Sequence, residues 1–359
     1  MLSLKETIEK NLIYDISSQD KVKDRFDKVA KPLDSLGKFE KLISKIGGIR
    51  ASADVSINNP VLCVFAADNG IVEEKVSQSD HSVTTECVKN IADYKSVAGV
   101  FAKKADAKIK VYDMGIIDDI DHDKYHITNK KIRNGTSNFL KTSAMTREEV
   151  IKAIEIGIDA AFSLKEEKAD LICIGEMGIG NTTTSSAVIA GLLKMPARDV
   201  TGYGAGLSDE GYKRKIEVID KGIIKYDLYN KDPLTILQNV GGFDIAAMCG
   251  MVIGCAVNNI PVILDGLISL TAAYLAKLIT GKNIEDFVIA SHVGKEKAVK
   301  ILLERLKLEA VIDADMALGE GTGALLMLIL LKTNILVLDD TIRFEDTDIE
   351  QYVRLHEES

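Results

Sequence analysis

The sequence predicts a doubly wound α/β fold, a mostly parallel sheet flanked by helices. Two observations predict it. Short apolar runs, each ending in Gly or Asp, recur from residue 60 onward, as strands buried on both faces of a parallel sheet do. Longer segments of helical periodicity separate them. Alternation of the two kinds gives a sheet whose ligands sit at the carboxyl ends of its strands.

The first fifty residues read as helix. Val22, Phe26, Val29, Leu33, Leu36 and Phe39 recur at mixed three- and four-residue spacing, and Ser35 is a candidate cap for the run KFEKLISKIG. Strands are expected in PVLCVFAADNG from Pro60, KIKVYDMGI near 108–116, ADLICIGEMG at 169–178, NIPVILDG at 259–266 and EDFVIASHVG at 285–294. One long helix should open at Thr146, where Thr146 and Glu149 form a capping box. Another should cover TTTSSAVIAGLLK at 182–194, and the polar stretch Asp118 to Asn138 reads as an irregular excursion. The most apolar stretch, Gly323 to Leu338, is broken by Lys332 and Asn334 and reads as buried packing rather than a membrane span. Overlapping its end, ILVLDDTIRF has the pattern of a strand, though the structure of the segment from about 330 onward stays open between strand and helix. The expected organisation is a helical segment over 1–55, an α/β domain over 56–332 and a C-terminal segment over 333–359.

Composition narrows the function classes. The chain has 359 residues, 46% of them hydrophobic, a mean hydropathy of +0.07 and no Trp, so aliphatic side chains build the core of a globular protein. A net charge of −9 with only short basic clusters argues against a nucleic-acid partner. The start, MLSLKETIEKNL, lacks the apolar core of a signal peptide. Cys63, Cys87, Cys173, Cys249 and Cys255 form no CxxC pair and read as reduced thiols of a cytoplasmic protein. With five histidines and no clustered Cys and His ligands, neither a metal nor another cofactor is expected.

Three glycine-rich segments carry candidate chemistry. In Gly175-EMGIGNTTT184, backbone N–H groups at a helix start, freed of side-chain bulk, form an anion site, against a plain strand-to-helix turn as the bland alternative. No Gly-Lys-Ser/Thr follows, so it is not a Walker loop. In Thr201-GYGAGLSDEG, followed by Lys213, Arg214 and Lys215, the glycines lack the preceding strand of a dinucleotide fingerprint. A glycine loop leading into three cations suits one phosphate, or is simply a loop and a solvated helix face. In Leu318-GEGTGA324, Glu320 stands alone between glycines before an apolar helix. It is a helix cap or, because glycines let a ligand approach closely, a general base. Asp68 and Asn69, Asp265 and Gly266, and Ser291 and His292 each end an apolar run, and several such residues at one sheet edge mark a pocket. The acidic pair in Val337-LDDT341 suggests a phosphoribosyl pyrophosphate site, but the glycine loop such a site needs is missing.

Together these segments resemble the nicotinate-nucleotide–dimethylbenzimidazole phosphoribosyltransferase family. The similarity runs in order through PLDSLGKFEKL, FAADNGIVEEKVS, NGTSNFLKTSAMTREE, GEMGIGNTTTSSA, GAGLSDEGYKRK, NVGGFDIAAMCG, PVILDGLIS and LGEGTGALL. The resemblance implies phosphoribosyl transfer from nicotinate mononucleotide to an aromatic base, without metal, in a dimeric cytoplasmic α/β enzyme with a small helical domain drawn partly from the N-terminal segment. It implies Glu320 as catalytic base and Glu176 as a second catalytic-site glutamate. It implies a nucleotide and phosphate site from Gly178, Ile179, Gly180, Asn181, Thr182, Gly204, Lys215, Asp265, Gly266 and Gly294, and a base site from Ser79, His81, Met177 and Leu318.

Two departures stand out. Where relatives commonly read V-S-x-[FY]-P-Q-x-V-T, this chain has Val76-SQSDHSVT84, with His81 in place of the Gln that touches the base. Where they read S/G-H-x-S-x-E, it has Ser291-HVGKE296, with Gly294 in place of a Ser. A phenol has no second ring nitrogen for a Gln to address, so the first departure admits a phenol or p-cresol as acceptor, alongside a paralogous chain. The pair together also admits a non-catalytic partner subunit.

Overall fold

The computed structural model describes residues 3–354. Six parallel strands form one sheet: β1 (Pro60–Ala67), β2 (Lys108–Gly115), β3 (Thr128–Asn129), β4 (Leu171–Met177), β5 (Val262–Leu264) and β6 (Val288–Ala290), in the order β3-β2-β1-β4-β5-β6. Each expected strand run contains one of them. The chain winds outward in one direction from β1 through β2 and in the other from β4, which puts the switch point, and hence a ligand crevice, between the carboxyl ends of β1 and β4.

The apolar runs alternate within themselves. Val61, Cys63, Phe65 and Ala67 of β1 enter one core, while Leu62, Val64 and Ala66 enter the other. Both faces are therefore covered, which is why the runs carry no polar alternation.

The helices are α1 (Leu4–Glu9), α2 (Ile16–Asp27), α3 (Lys38–Arg50), α4 (Ser82–Ala92), α5 (Val97–Ala105), α6 (Arg147–Glu166) and α7 (Asn181–Leu193). They continue with α8 (Ala197–Val200), α9 (Asp209–Tyr226), α10 (Pro233–Val240), α11 (Phe243–Val257), α12 (Leu267–Thr280), α13 (Ala298–Arg305) and α14 (Thr322–Asp340). Helices α6, α7, α11 and α12 bury residues in the first core; α4, α5 and α14 bury theirs in the second. The N-terminal segment joins the second core, with Val22 and Phe26 of α2 and Ile43 and Ile46 of α3 beside Leu62 and Val64. The Thr146–Glu149 capping box forms as expected. The 118–138 excursion holds only the two-residue strand β3.

Two local expectations are corrected. Ser35 does not cap α3: the cap position falls on Gly37, at φ 57, and no side chain caps the helix. The strand pattern at ILVLDDTIRF gives way to helix over Ile335–Asp340, because α14 runs unbroken to Asp340, through position 332, and ends before Thr341. Leu331, Ile335 and Leu338 recur at i, i+4 and i+7 and are buried, so the helical period places them inward. Helix α14 is long and apolar enough to cross a membrane, and half of its apolar window is buried in the fold.

Candidate active site

The crevice holds a cleft of about 330 Å³ over the carboxyl ends of the strands, a size that suits a small ligand. Gly175, Glu176 and Met177 enter it from β4, Gly178, Ile179, Asn181 and Thr182 from the turn into α7, and Asp265 and Gly266 from the end of β5. Gly204, Gly294, Ser79, Leu318 and Glu320 also line it. These residues, far apart in the chain, are those expected from the sequence.

Glu320 occupies an unusual backbone. Gly319, Glu320 and Gly321 have φ of 88°, 60° and 83° in succession. A non-glycine residue held left-handed costs free energy and persists only where its surroundings impose it. The surroundings do so on two sides. A Cβ at Gly175 would stand 2.7 Å from the Glu320 backbone, so strand and loop touch. On the other side Asp265 accepts N–H bonds from Gly321 at 3.2 Å and Gly323 at 2.7 Å. The Glu320 carboxyl is largely buried, and Oε2 has no hydrogen-bond partner. Burial raises its pKa, against the opposing pull of the Ala98 N–H and the Ser96 hydroxyl at the start of α5, and the Asp265 charge raises it further. A carboxylate raised toward neutrality with one oxygen unengaged is equipped to take a proton.

Glu176 stands beside this loop: a Cβ at Gly319 would come within 2.6 Å of its Oε1. Its other oxygen accepts a short hydrogen bond from Asn181 Nδ2. Burial, then the nearby Asp244 charge, push its pKa up to about 8. Asp244, in the first turn of α11, accepts from the same Asn181 amide at 3.2 Å and is itself pushed by burial to about 6. At neutral pH, therefore, Glu176 carries a proton.

One wall of the cleft, at Thr182 and Gly204, is backed by a buried cation. Lys215 of α9 is fully buried, and its Nζ donates to Thr182 Oγ1 at 2.8 Å. Burial lowers its pKa to about 8, with Glu296 opposing. A Cβ at left-handed Gly204 would stand 3.3 Å from that Nζ, so the cation lies directly behind Thr182 and Gly204, which line the cleft. Lys213 and Arg214 face solvent, so of the three expected cations only Lys215 turns inward. Gly180, left-handed at the start of α7, sits just beside the cleft, in a smaller pocket with Gln78 and Tyr203.

Three of the expected residues do not line the cleft: Gly180, Lys215 and His81. His81 stands at the N-cap of α4, with its ring against Asp118 at 3.1 Å and half exposed. Ser79, Met177 and Leu318 line the cleft together with Val83 and Cys87. Val83 and Cys87 were not singled out by the sequence; their i, i+4 spacing on α4 was the available signal. Asp244 was also missed, though an acid directly after Gly241-Gly242-Phe243 marks a helix start. The acidic pair of the Val337–Thr341 segment lies at the end of α14, where Asp339 pairs with Arg25 at 2.7 Å, and does not line the cleft. Asp27, Asp34 and Glu40 bring three carboxylates together, but Arg354 bonds the first two and Lys31 holds Glu40 at 2.7 Å.

A phosphoribosyltransferase family model matches residues 14–349. A Clostridium acetobutylicum protein named nicotinate-nucleotide–dimethylbenzimidazole phosphoribosyltransferase is 40% identical over 347 residues, which cover 95% of this chain and 98% of that protein. An Acetivibrio thermocellus protein of the same name is 40% identical over 333 residues, covering 93% and 94%. The crystal structure of CobT from Thermus thermophilus superposes with a TM-score of 0.86 at 31% identity, over 93% of this chain and 99% of that one.

Proposed function

The chain belongs to the nicotinate-nucleotide–dimethylbenzimidazole phosphoribosyltransferase family and is a pentosyltransferase, and on that premise we propose that it transfers the 5-phosphoribosyl group of nicotinate mononucleotide to a benzimidazole-type base for the lower ligand of a cobamide. The observation that carries this reading is the left-handed Gly319-Glu320-Gly321 turn, which holds a buried carboxylate oxygen without a partner over the cleft.

The substrate phosphate sits at Lys215, Thr182, Gly204 and the glycine turn 178–180, where a buried ammonium and helix-start N–H groups meet a dianion. The ribose lies over Glu176, whose retained proton lets it donate a hydrogen bond where a second carboxylate would repel. The base enters among Ser79, Val83, Cys87, Met177 and Leu318, an apolar lining suited to an aromatic ring.

In the reaction the bond from C1′ to the pyridinium nitrogen breaks, and its electron pair neutralises that nitrogen. Nicotinate therefore leaves without an acid. The unprotonated ring nitrogen of the base forms the new bond to C1′ from the opposite face, which inverts the linkage to α, and the positive charge this creates is relieved at the other ring nitrogen. The proton on that second nitrogen passes to Glu320. General base catalysis of this kind contributes ~10²–10⁴-fold, and positioning and electrostatic complementarity supply the rest. No pyrophosphate leaves, so the step calls for no metal.

A second acceptor class is favoured by one observation: among the described residues the only amide side chain lining the cleft, Asn181, is already bonded to Glu176 and Asp244, which suits a phenol as well as a benzimidazole. We place the enzyme in the cytoplasm as a homodimer, with a heteromer as the phenol-linked alternative. The test is nicotinate release by the purified chain with dimethylbenzimidazole, phenol and p-cresol in turn. Base-dependent release supports the reading and the ranking fixes the acceptor. No release with any base, alone or with a paralogous chain, would leave a non-catalytic subunit.

A further inference from the structure

Glu320 owes its placement to something, since a left-handed glutamate between two left-handed glycines does not hold itself. The turn opens α14, whose first N–H groups have no intrahelical partners. The residue at the cap position, Gly321, offers no side chain to them, and no side chain of its own segment caps the helix. Asp265, from the end of β5, does so across the fold. Its Oδ2 accepts from Gly321 N at 3.2 Å, and its Oδ1 accepts from Gly323 N at 2.7 Å and Ala324 N at 3.4 Å. Asp265 is buried, at 5% exposed, and both oxygens are engaged. A Cβ at Gly323 would stand 2.8 Å from Asp265 Oδ1 and 2.1 Å from His292 Nδ1, so the carboxylate and the imidazole press directly on the first turn of the helix.

Resting on the reading of Glu320 as the general base, we propose that Asp265 is a positioning residue: its carboxylate caps α14 in place of a local cap and thereby holds the Glu320 turn in its left-handed, cleft-facing form. The family resemblance alone would put Asp265 on the nucleotide. The geometry points instead to the helix, because the carboxylate spends both oxygens on backbone N–H groups. Those N–H groups only donate, so the bonds require an acceptor at both oxygens; an amide would present an NH₂ to one of them.

The charge of Asp265 reaches Glu320 as well as its hydrogen bonds. The groups facing Glu320 are Asp265, Glu176 from β4 and the Cys87 thiol from α4, with the Ser96 hydroxyl and Ala98 N–H from α5. Those facing Asp265 are His292, Glu176 and the Cys173 thiol of β4. Removing the Asp265 charge takes away a like charge that raises Glu320.

The test is a double-mutant cycle of Asp265→Asn and Glu320→Ala, with Asp265→Ala as a second variant, followed by single-turnover nicotinate release. A turn displaced by about 1 Å loses ~10²-fold in kcat. Asp265→Asn should therefore lose about that factor with KM for nicotinate mononucleotide unchanged. The acidic limb of kcat/KM should move to lower pH. In the Glu320→Ala background Asp265→Asn should cost nothing further, because it acts through the missing carboxylate. Unchanged binding of nicotinate mononucleotide shows that the variants are folded. Losses that add in the double variant, or a KM rise without a kcat fall, overturn the positioning role. An active Glu320→Ala single variant overturns the general-base reading instead.

Discussion

Replacing Lys215 by Met keeps much of the volume of the stem and removes the ammonium. Lys215 is 0% exposed, and its Nζ is held by Thr182 Oγ1 at 2.8 Å. A phosphate bound there meets a desolvated cation, and a charge-assisted hydrogen bond of that kind contributes ~1.5–3 kcal/mol. Leaving the phosphate unpaired in the buried subsite moves the cost to about 3 kcal/mol, within the ~2–5 kcal/mol range for truncating one partner of a buried charge pair. At ~1.4 kcal/mol per decade this is a Kd increase of about 10²-fold. Isothermal titration with nicotinate mononucleotide and with nicotinate riboside, which lacks the phosphate, measures it. The nucleotide should lose the affinity and the riboside should not. The pH dependence has a definite sign. Burial lowers the Lys215 ammonium from 10.5 to about 8, so in the free protein the charge disappears as pH rises through about 8. Nucleotide affinity should be level below that pH and fall above it, and Lys215→Met should abolish the fall. Equal losses for nucleotide and riboside, or a wild-type affinity that rises with pH, would refute a phosphate subsite at Lys215.

Three further outcomes are expected. Glu176 has a folded pKa of about 8 against an ordinary 4.5, so between those values the folded protein keeps a proton that the unfolded chain releases. Its stabilising contribution is complete below pH 4.5 and is lost as pH rises through 8, at ~1.4 kcal/mol per unit; Glu176→Gln should flatten that part of the Tm–pH profile and raise Tm at pH 8. Gly175→Ala puts a Cβ 2.7 Å from the Glu320 backbone carbon, and because backbone cannot yield as a side chain tip does, kcat should fall ~10²-fold with the fold retained by circular dichroism. Among the five cysteines Cys87 alone is only partly buried, and it lines the cleft, so a thiol reagent should label it in the native protein, and saturating base should protect it.

The sheet was legible because its strands are buried on both faces. A run such as Val61 to Ala67 then reads as continuously apolar and ends where the sheet ends, at Asp68 and Asn69, which are buried behind the cleft with Asn69 bonded to the Ile179 carbonyl. Glu320 and the 178–182 turn were legible for a related reason, as polar residues placed among glycines at helix starts. What escaped was set by packing across the fold. Nothing local in ILVLDDTIRF distinguishes a strand from the last turns of a buried helix; the neighbours of Leu331, Ile335 and Leu338 decide it. The local cap motif at Ser35 lost to a left-handed Gly37, which starts α3 slightly later in the chain. His81 matched a position in a pattern, but the start of α4 aims its ring at Asp118, outside the cleft. Asp265 ends a strand like any turn residue, and only the tertiary structure brings α14 against it, more than fifty residues later.

The proposed chemistry depends above all on the Glu320 carboxylate taking the proton of the incoming base. Single-turnover nicotinate release from nicotinate mononucleotide with dimethylbenzimidazole tests this, comparing wild type with Glu320→Gln, which keeps the shape and removes the basicity. The expected result is a loss of ~10²–10⁴-fold in the chemical step with nucleotide binding intact. Release at the wild-type rate from Glu320→Gln would contradict it.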